Sequence, residues 1–105
     1  MRTLEYIVKG QRLLRAGDHG SLVAGTEGYL RAHFTFDESW DDCAKVVSFY
    51  NNDEEHAVIL KDDACDIPKE ALTGSSFKVA VEGRRKNYRI LSTKITETQR
   101  VRRNN

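Results

Sequence analysis

The sequence predicts an all-β domain, a mostly antiparallel sandwich or barrel-like fold of seven or eight short strands with one or two single-turn helices. Three observations predict it. Apolar residues recur with period two in several stretches, the clearest being Tyr29-Leu30-Arg31-Ala32-His33-Phe34-Thr35-Phe36. Glycine, asparagine and aspartate clusters break the chain every eight to twelve residues. No stretch carries the 3.6-residue repeat of a helix of three turns, and no internal repeat is present.

Taken in order, Thr3 to Lys9 alternates, with Leu4, Tyr6 and Val8 on one face, and Gly10-Gln11 ends that strand. Arg12 to Arg15 reads as a short return strand. Ala16 to Ser21 is a loop of residues that tolerate positive φ, and Gly25 and Gly28 prolong the irregular stretch. Leu30, Ala32, Phe34 and Phe36 then form an inward face, with Tyr29, Arg31, His33 and Thr35 turned to water. Asp37 to Asp42 is expected to make a turn or one helical turn that drops Trp40 onto the end of the core, its indole N–H finding a carbonyl.

Ala44 to Tyr50, rich in β-branched and aromatic residues, is the next strand, and the polar Asn51 to Glu55 turns it back into His56 to Lys61. Asp62-Asp63 turns again into Ala64 to Ile67, and Pro68 opens a single turn over Lys69 to Leu72. Phe77, Val79 and Val81 line another strand, Arg84 to Asn87 is a basic turn, and Tyr88 to Ile95 returns. The expected organisation is one β domain over residues 1–96 and a flexible basic tail over 97–105.

Composition narrows the class. A chain of 105 residues fits one domain, and 39% hydrophobic with 31% charged residues is a globular profile. The N-terminus lacks the continuous apolar run of an export signal, and Ala57 to Leu60 is far too short to span a bilayer, so synthesis and folding in a cytoplasm, away from membranes, are expected. Cys43 and Cys65 lack CxxC spacing and are expected to be reduced thiols; a bridge would need their Cα atoms within about 7 Å. Residues 37–70 hold eleven acidic and three basic side chains, while the remainder hold fourteen basic and five acidic. Either the two sets interleave in space, or they form surfaces of opposite sign suited to head-to-tail association.

No constellation signals catalysis. His19, His33 and His56 have no partners at zinc spacing, Gly20-Ser21 is no nucleophile elbow, and Asp62, Asp63 and Asp66 lack the pattern of a calcium loop. The glycines form no nucleotide-binding fingerprint. No catalytic, cofactor or metal residues are therefore assigned. The candidate interaction surface is Tyr29, Arg31 and His33 together with Arg84, Arg85, Lys86 and Tyr88. Arg100, Arg102 and Arg103 add basic charge, but the acidic middle weighs against a nucleic-acid partner.

The order of landmarks resembles a family of small β-modules in tail and baseplate proteins of phages and prophages of Gram-positive bacteria. The landmarks are Gly28-Tyr29-Leu30, Phe34-Thr35-Phe36, Trp40, Lys45, Phe49, Cys65-Asp66-Ile67-Pro68, Glu70, Leu72, Phe77 to Gly83 and Arg89 to Thr93. The resemblance implies a virion structural or adaptor role without enzyme activity, through contacts with itself or other virion proteins. In such proteins the module is often followed by a longer fibre-like or receptor-binding region, and this chain stops at Asn105. Two other classes are weighed beside it. One is a carbohydrate-binding module using Tyr29, Trp40, Tyr50 and Tyr88 for attachment to the host surface, and the other a small barrel enzyme using His33, Cys43 and His56.

Overall fold

A computed structural model gives the architecture, and it describes residues 1–101. Ten strands and two 3₁₀ turns follow one another. They are β1 (Arg2–Lys9), β2 (Arg12–Arg15), β3 (Leu22–Val23), β4 (Leu30–Phe36), the turn Glu38–Trp40, β5 (Ala44–Asn51), β6 (Glu54–Ile59), β7 (Ala64–Asp66), the turn Lys69–Ala71, β8 (Ser76–Arg85), β9 (Tyr88–Leu91) and β10 (Ile95–Arg100). The expected all-β fold is what the chain adopts, with ten strands among the described residues in place of the seven or eight expected. One sheet has the order β2-β1-β4-β7 and the other β3-β10-β8-β5-β6, with β9 also pairing β8.

Most pairings are antiparallel, but β1 runs parallel to β4 and β3 parallel to β10. A parallel neighbour needs a crossover connection. Here the crossover leaves β2, visits the second sheet as β3, and returns as β4.

The period-two faces meet in a single core. Leu4, Tyr6, Val8, Ala32 and Phe34 of the first sheet pack with Val47, Phe49, Phe77, Val79 and Val81 of the second. The Tyr6 and Phe34 rings stack at 4.9 Å between centroids. Trp40 is fully buried and its Nε1 donates to the Gly10 carbonyl at 2.7 Å, as the placement of its turn predicts. Gly83 makes room for it: a Cβ there would lie 2.7 Å from Trp40 Cε3.

Two tight turns carry the hairpin chemistry read from the sequence. Asn52 and Asp53 both have positive φ between Asn51 and its cross-strand partner Glu54. Asp62 and Asp63 do the same between Lys61 and Ala64. Such two-residue turns match the twist of the strands they join, and asparagine and aspartate tolerate the conformation.

Three boundaries differ from expectation. The polar loop expected over residues 51–55 narrows to Asn52-Asp53, because Asn51 and Glu54 pair across the hairpin and Glu55 pairs Tyr50. The loop before β4 contains β3, whose Leu22 is buried. The last strand breaks after Leu91, and β10 extends through Glu97 and Gln99 to Arg100, so the domain runs past residue 96 and the expected tail is structured as far as residue 100. Glu97 and Gln99 are polar yet buried, and a polar run reads as frayed unless its partners are known. Residues 102–105, the rest of that expected tail, lie outside the described residues.

Candidate interaction edge

The seven surface residues read from the sequence fall into two groups on different sheets. Tyr29 precedes β4 and is half exposed, and Arg31 and His33 stand on the outer face of β4. Arg31 Nη1 lies 3.0 Å from Asp66 Oδ1, and His33 Nδ1 lies 2.6 Å from Glu5 Oε1. Arg84, Arg85, Lys86 and Tyr88 belong to the β8–β9 hairpin of the other sheet. There Arg85 lies over the Tyr88 ring and donates to the Asp41 carbonyl, while Tyr88 Oη donates to the Ser39 carbonyl. Arg89 and Arg84 both bind Glu82, and hydrogen bonding to these two guanidinium groups, Arg89 foremost, draws its carboxyl down to about 2. The two groups are thus separate surfaces, and most of their charged members are already partnered.

The aromatic platforms are largely covered as well. Trp40 is fully buried, which removes it from any glycan surface. Lys94 Nζ sits 4.3 Å over the Tyr50 ring, and Arg85 covers Tyr88. Tyr29 remains half exposed. Nor does folding assemble the three residues of the enzyme reading. His33 pairs with Glu5 and His56 approaches Glu54 at 3.6 Å, and neither histidine bonds Cys43. Both cysteines are free thiols, and burial pushes the Cys65 thiol up to about 12.

The polar cluster that sequence reasoning missed lies between the sheets. Glu97 on β10 accepts from Tyr6 Oη at 2.7 Å and from Arg15 Nε at 2.9 Å, and His19 Nδ1 lies 2.6 Å from its Oε2. The other ring nitrogen of His19 lies 2.8 Å from the Glu5 carbonyl. Burial raises the Glu97 pKa, but the hydrogen bonds from Tyr6, Arg15 and His19 outweigh it and hold the carboxyl below its ordinary value. The phenol of Tyr6 moves the opposite way, upward, through burial and the adjacent Glu97 charge. No spacing in the sequence links residues 6, 15, 19 and 97, so the only available signal was a lone acid on the inward face of an alternating stretch. Tyr6, His19 and Glu97 are buried while Arg15 reaches solvent, and the cluster ties the crossover loop and β10 to β1.

What the fold leaves open is a strand edge. On one side the sheets are stitched together: the Thr93 N–H donates to the Gln11 carbonyl at 2.8 Å, the Leu13 N–H to Thr93 Oγ1 at 3.2 Å, and Gln11 Nε2 to the Leu91 carbonyl at 3.0 Å. On the other side β6 and β7 are the outer strands, joined among the described residues only where Lys61 and Ala64 bond each other. The Leu60 N–H donates inward to the Lys45 carbonyl. By the alternation of an antiparallel ladder, Val58, His56 and Glu54 also bond β5, and the N–H and C=O groups of Glu55, Ala57 and Ile59 point to the free side. Beside them Val58, Ile59, Ala64 and Cys65 line a shallow groove of about 460 Å³ between the sheet edges.

Charge follows the same division. Glu54, Glu55, Asp62, Asp63 and Asp66 cluster on the β6–β7 side, and Arg12, Arg15 and Arg100 lie on the stitched side. The separation is partial, since Asp66 pairs with Arg31 and Asp63 with Lys45 at 3.0 Å each.

These features define the class of protein, an all-β sandwich of two mixed sheets with one long open strand edge. The chain matches no protein-family model, no curated protein and no solved structure. Among the described residues no helix is long and apolar enough to cross a membrane, and no three histidine, cysteine, aspartate or glutamate side chains are grouped to hold a metal ion.

Proposed function

We propose that this chain is a non-enzymatic assembly module, acting through protein–protein contacts and associated with the virion of a phage or prophage as part of its tail or baseplate. The observation that carries the assembly reading is the open β6 edge, with three consecutive outward-facing residues whose backbone groups have no partner within the described chain. An edge of this kind is a template for another strand, and edge addition is a common mode of protein recognition. The exposed, uncharged Ala57 and Ile59 on that strand favour contact over repulsion.

The tail or baseplate setting rests on the landmark residues of the sequence resemblance. Several of them, including Phe34, Trp40, Ile67, Leu72 and Phe77, are core residues here, so they support a shared fold first and a shared role through it.

The test is reconstitution. The chain is purified alone and with each protein encoded next to it, and complexes are measured by size-exclusion chromatography with light scattering. A stoichiometric complex with itself or with a tail component supports the reading. A chain that joins no partner and turns over a small-molecule substrate overturns it.

A further inference from the structure

We infer that the occupant of the β6 edge is a second copy of this chain, paired antiparallel about a two-fold axis at Ala57. The inference rests on the assembly reading above and names the partner. Among the described residues β6, with six residues, is the longest edge strand: β2 has four and its Leu13 N–H is taken by Thr93 Oγ1, β9 has four and its Leu91 carbonyl is taken by Gln11 Nε2, β3 has two, and β7 has three with its Ala64 end tied to Lys61. With the opposite edge closed, strand addition between copies is edge to like edge, and such an isologous contact closes as a dimer.

The residues suit that pairing. With Ala57 opposite its own copy, Glu55 faces Ile59 of the other chain, and the three outward residues of each strand exchange roughly six backbone hydrogen bonds. Ala57 is small enough to sit at the axis. Ile59, 76% exposed and the most exposed large apolar side chain among the described residues, gains a neighbour. Glu55 stands on the outer face of β6, and Lys61, two residues past the end of the strand and bridged to Ala64, continues that alternation, so in this register each Glu55 lies diagonal to the Lys61 of the other copy, twice per dimer. Glu55 accepts from Ser48 Oγ through Oε2, which leaves Oε1 for the lysine. Edge strands are usually guarded by charges, prolines or bulges. β6 has no proline and pairs β5 without interruption, and its exposed acids stand at one end, where two-fold symmetry sets them against the uncharged end of the partner strand.

The pairing is short, so the dimer is weak and reversible. Sedimentation velocity of the whole chain over a wide concentration range is expected to show a species of twice the 12.0 kDa chain mass at high concentration. In ¹⁵N NMR spectra the Glu55, Ala57 and Ile59 amides are expected to move with concentration. Ala57→Pro is the clean variant: its N–H points to the free side, so the β5 ladder stays intact while strand addition is blocked. It is expected to keep the circular dichroism spectrum and raise the dimer dissociation constant more than about tenfold. Glu55→Lys and Lys61→Glu each weaken the dimer and the double variant restores it, a test that holds even where the proline variant folds poorly. Three results overturn the inference: a strict monomer throughout, a dimer that forms equally well in folded Ala57→Pro, or oligomers that grow beyond two copies. The first and second leave the assembly reading to its own reconstitution test, where a complex with another tail component still supports it.

Discussion

The Tyr6 hydroxyl donates to Glu97 Oε2 at 2.7 Å and so joins the first strand of one sheet to the last strand of the other through the interior. This bond spans 91 positions of the chain, and with Arg15 and His19 it satisfies a carboxylate that would otherwise be costly to bury.

Tyr6→Phe removes that donor and is expected to cost about 1–3 kcal/mol, because the buried carboxylate loses a hydrogen bond it cannot replace with water. The pH dependence has a definite sign. Glu97 has a lowered pKa in the folded state, so its contribution is present above the ordinary carboxylate value and is lost as pH falls through the folded one. Urea midpoints measured from pH 7 down to pH 3 are expected to fall. Glu97→Gln should be less stable at pH 7 and show a shallower decline. An unchanged slope in Glu97→Gln would remove the carboxylate from this role.

Gly83→Ala forces a methyl to 2.7 Å from Trp40 Cε3 and 3.1 Å from Ile90 Cγ2. Both neighbours are packed in the core, so the backbone must move, and the expected loss is about 1–3 kcal/mol. Thermal unfolding followed by tryptophan fluorescence reads both the stability and the changed indole environment. A variant with an unshifted midpoint would mean that the contact relaxes freely.

Asn51 holds the second 3₁₀ turn against the sheet. Its Nδ2 donates to the Ala71 carbonyl at 2.9 Å and the Thr73 carbonyl at 2.7 Å. Asn51→Ala removes both bonds and leaves the two carbonyls only the longer contacts from Gln99 Nε2 at 3.3 and 3.4 Å, with an expected cost of about 1 kcal/mol. Hydrogen exchange is expected to speed up at Ala71 and Leu72 more than in β1, which distinguishes local release of the turn from general weakening.

The two thiols should differ in reactivity. Cys65 is buried and its thiol is raised to about 12, so little thiolate forms near neutral pH, whereas Cys43 is partly exposed. Alkylation with iodoacetamide at pH 8 is expected to modify Cys43 first and Cys65 only on unfolding. Equal rates in the native protein would contradict the placement of Cys65 in the core.

Much of this was legible in the chain because strand geometry writes itself locally. The alternation at Leu4, Tyr6 and Val8 and at Leu30, Ala32 and Phe34 follows from successive side chains pointing to opposite faces, and those residues are the core. Trp40, the turn at Asp62-Asp63 and the turn after Pro68 were likewise readable from residues within a few positions, and so was a hairpin between residues 51 and 55, though not that it tightens to Asn52-Asp53. The candidate surface was less so. Arg31 and Tyr88 look free in a sequence, and each has a partner, Asp66 and Ser39, 35 and 49 positions away. The same ignorance made Glu97 and Gln99 look like a tail.

The sequence by itself determined that the chain is all-β, which face of each main strand turns inward, and where most turns fall, since period and turn chemistry are properties of neighbouring residues. Only the tertiary structure decided that β1 lies parallel to β4, that His19 and Glu97 meet, and that β6 is the edge left open. Those outcomes depend on which distant segments pair, and the free energy of that choice comes from the whole core, so no single stretch of residues carries it.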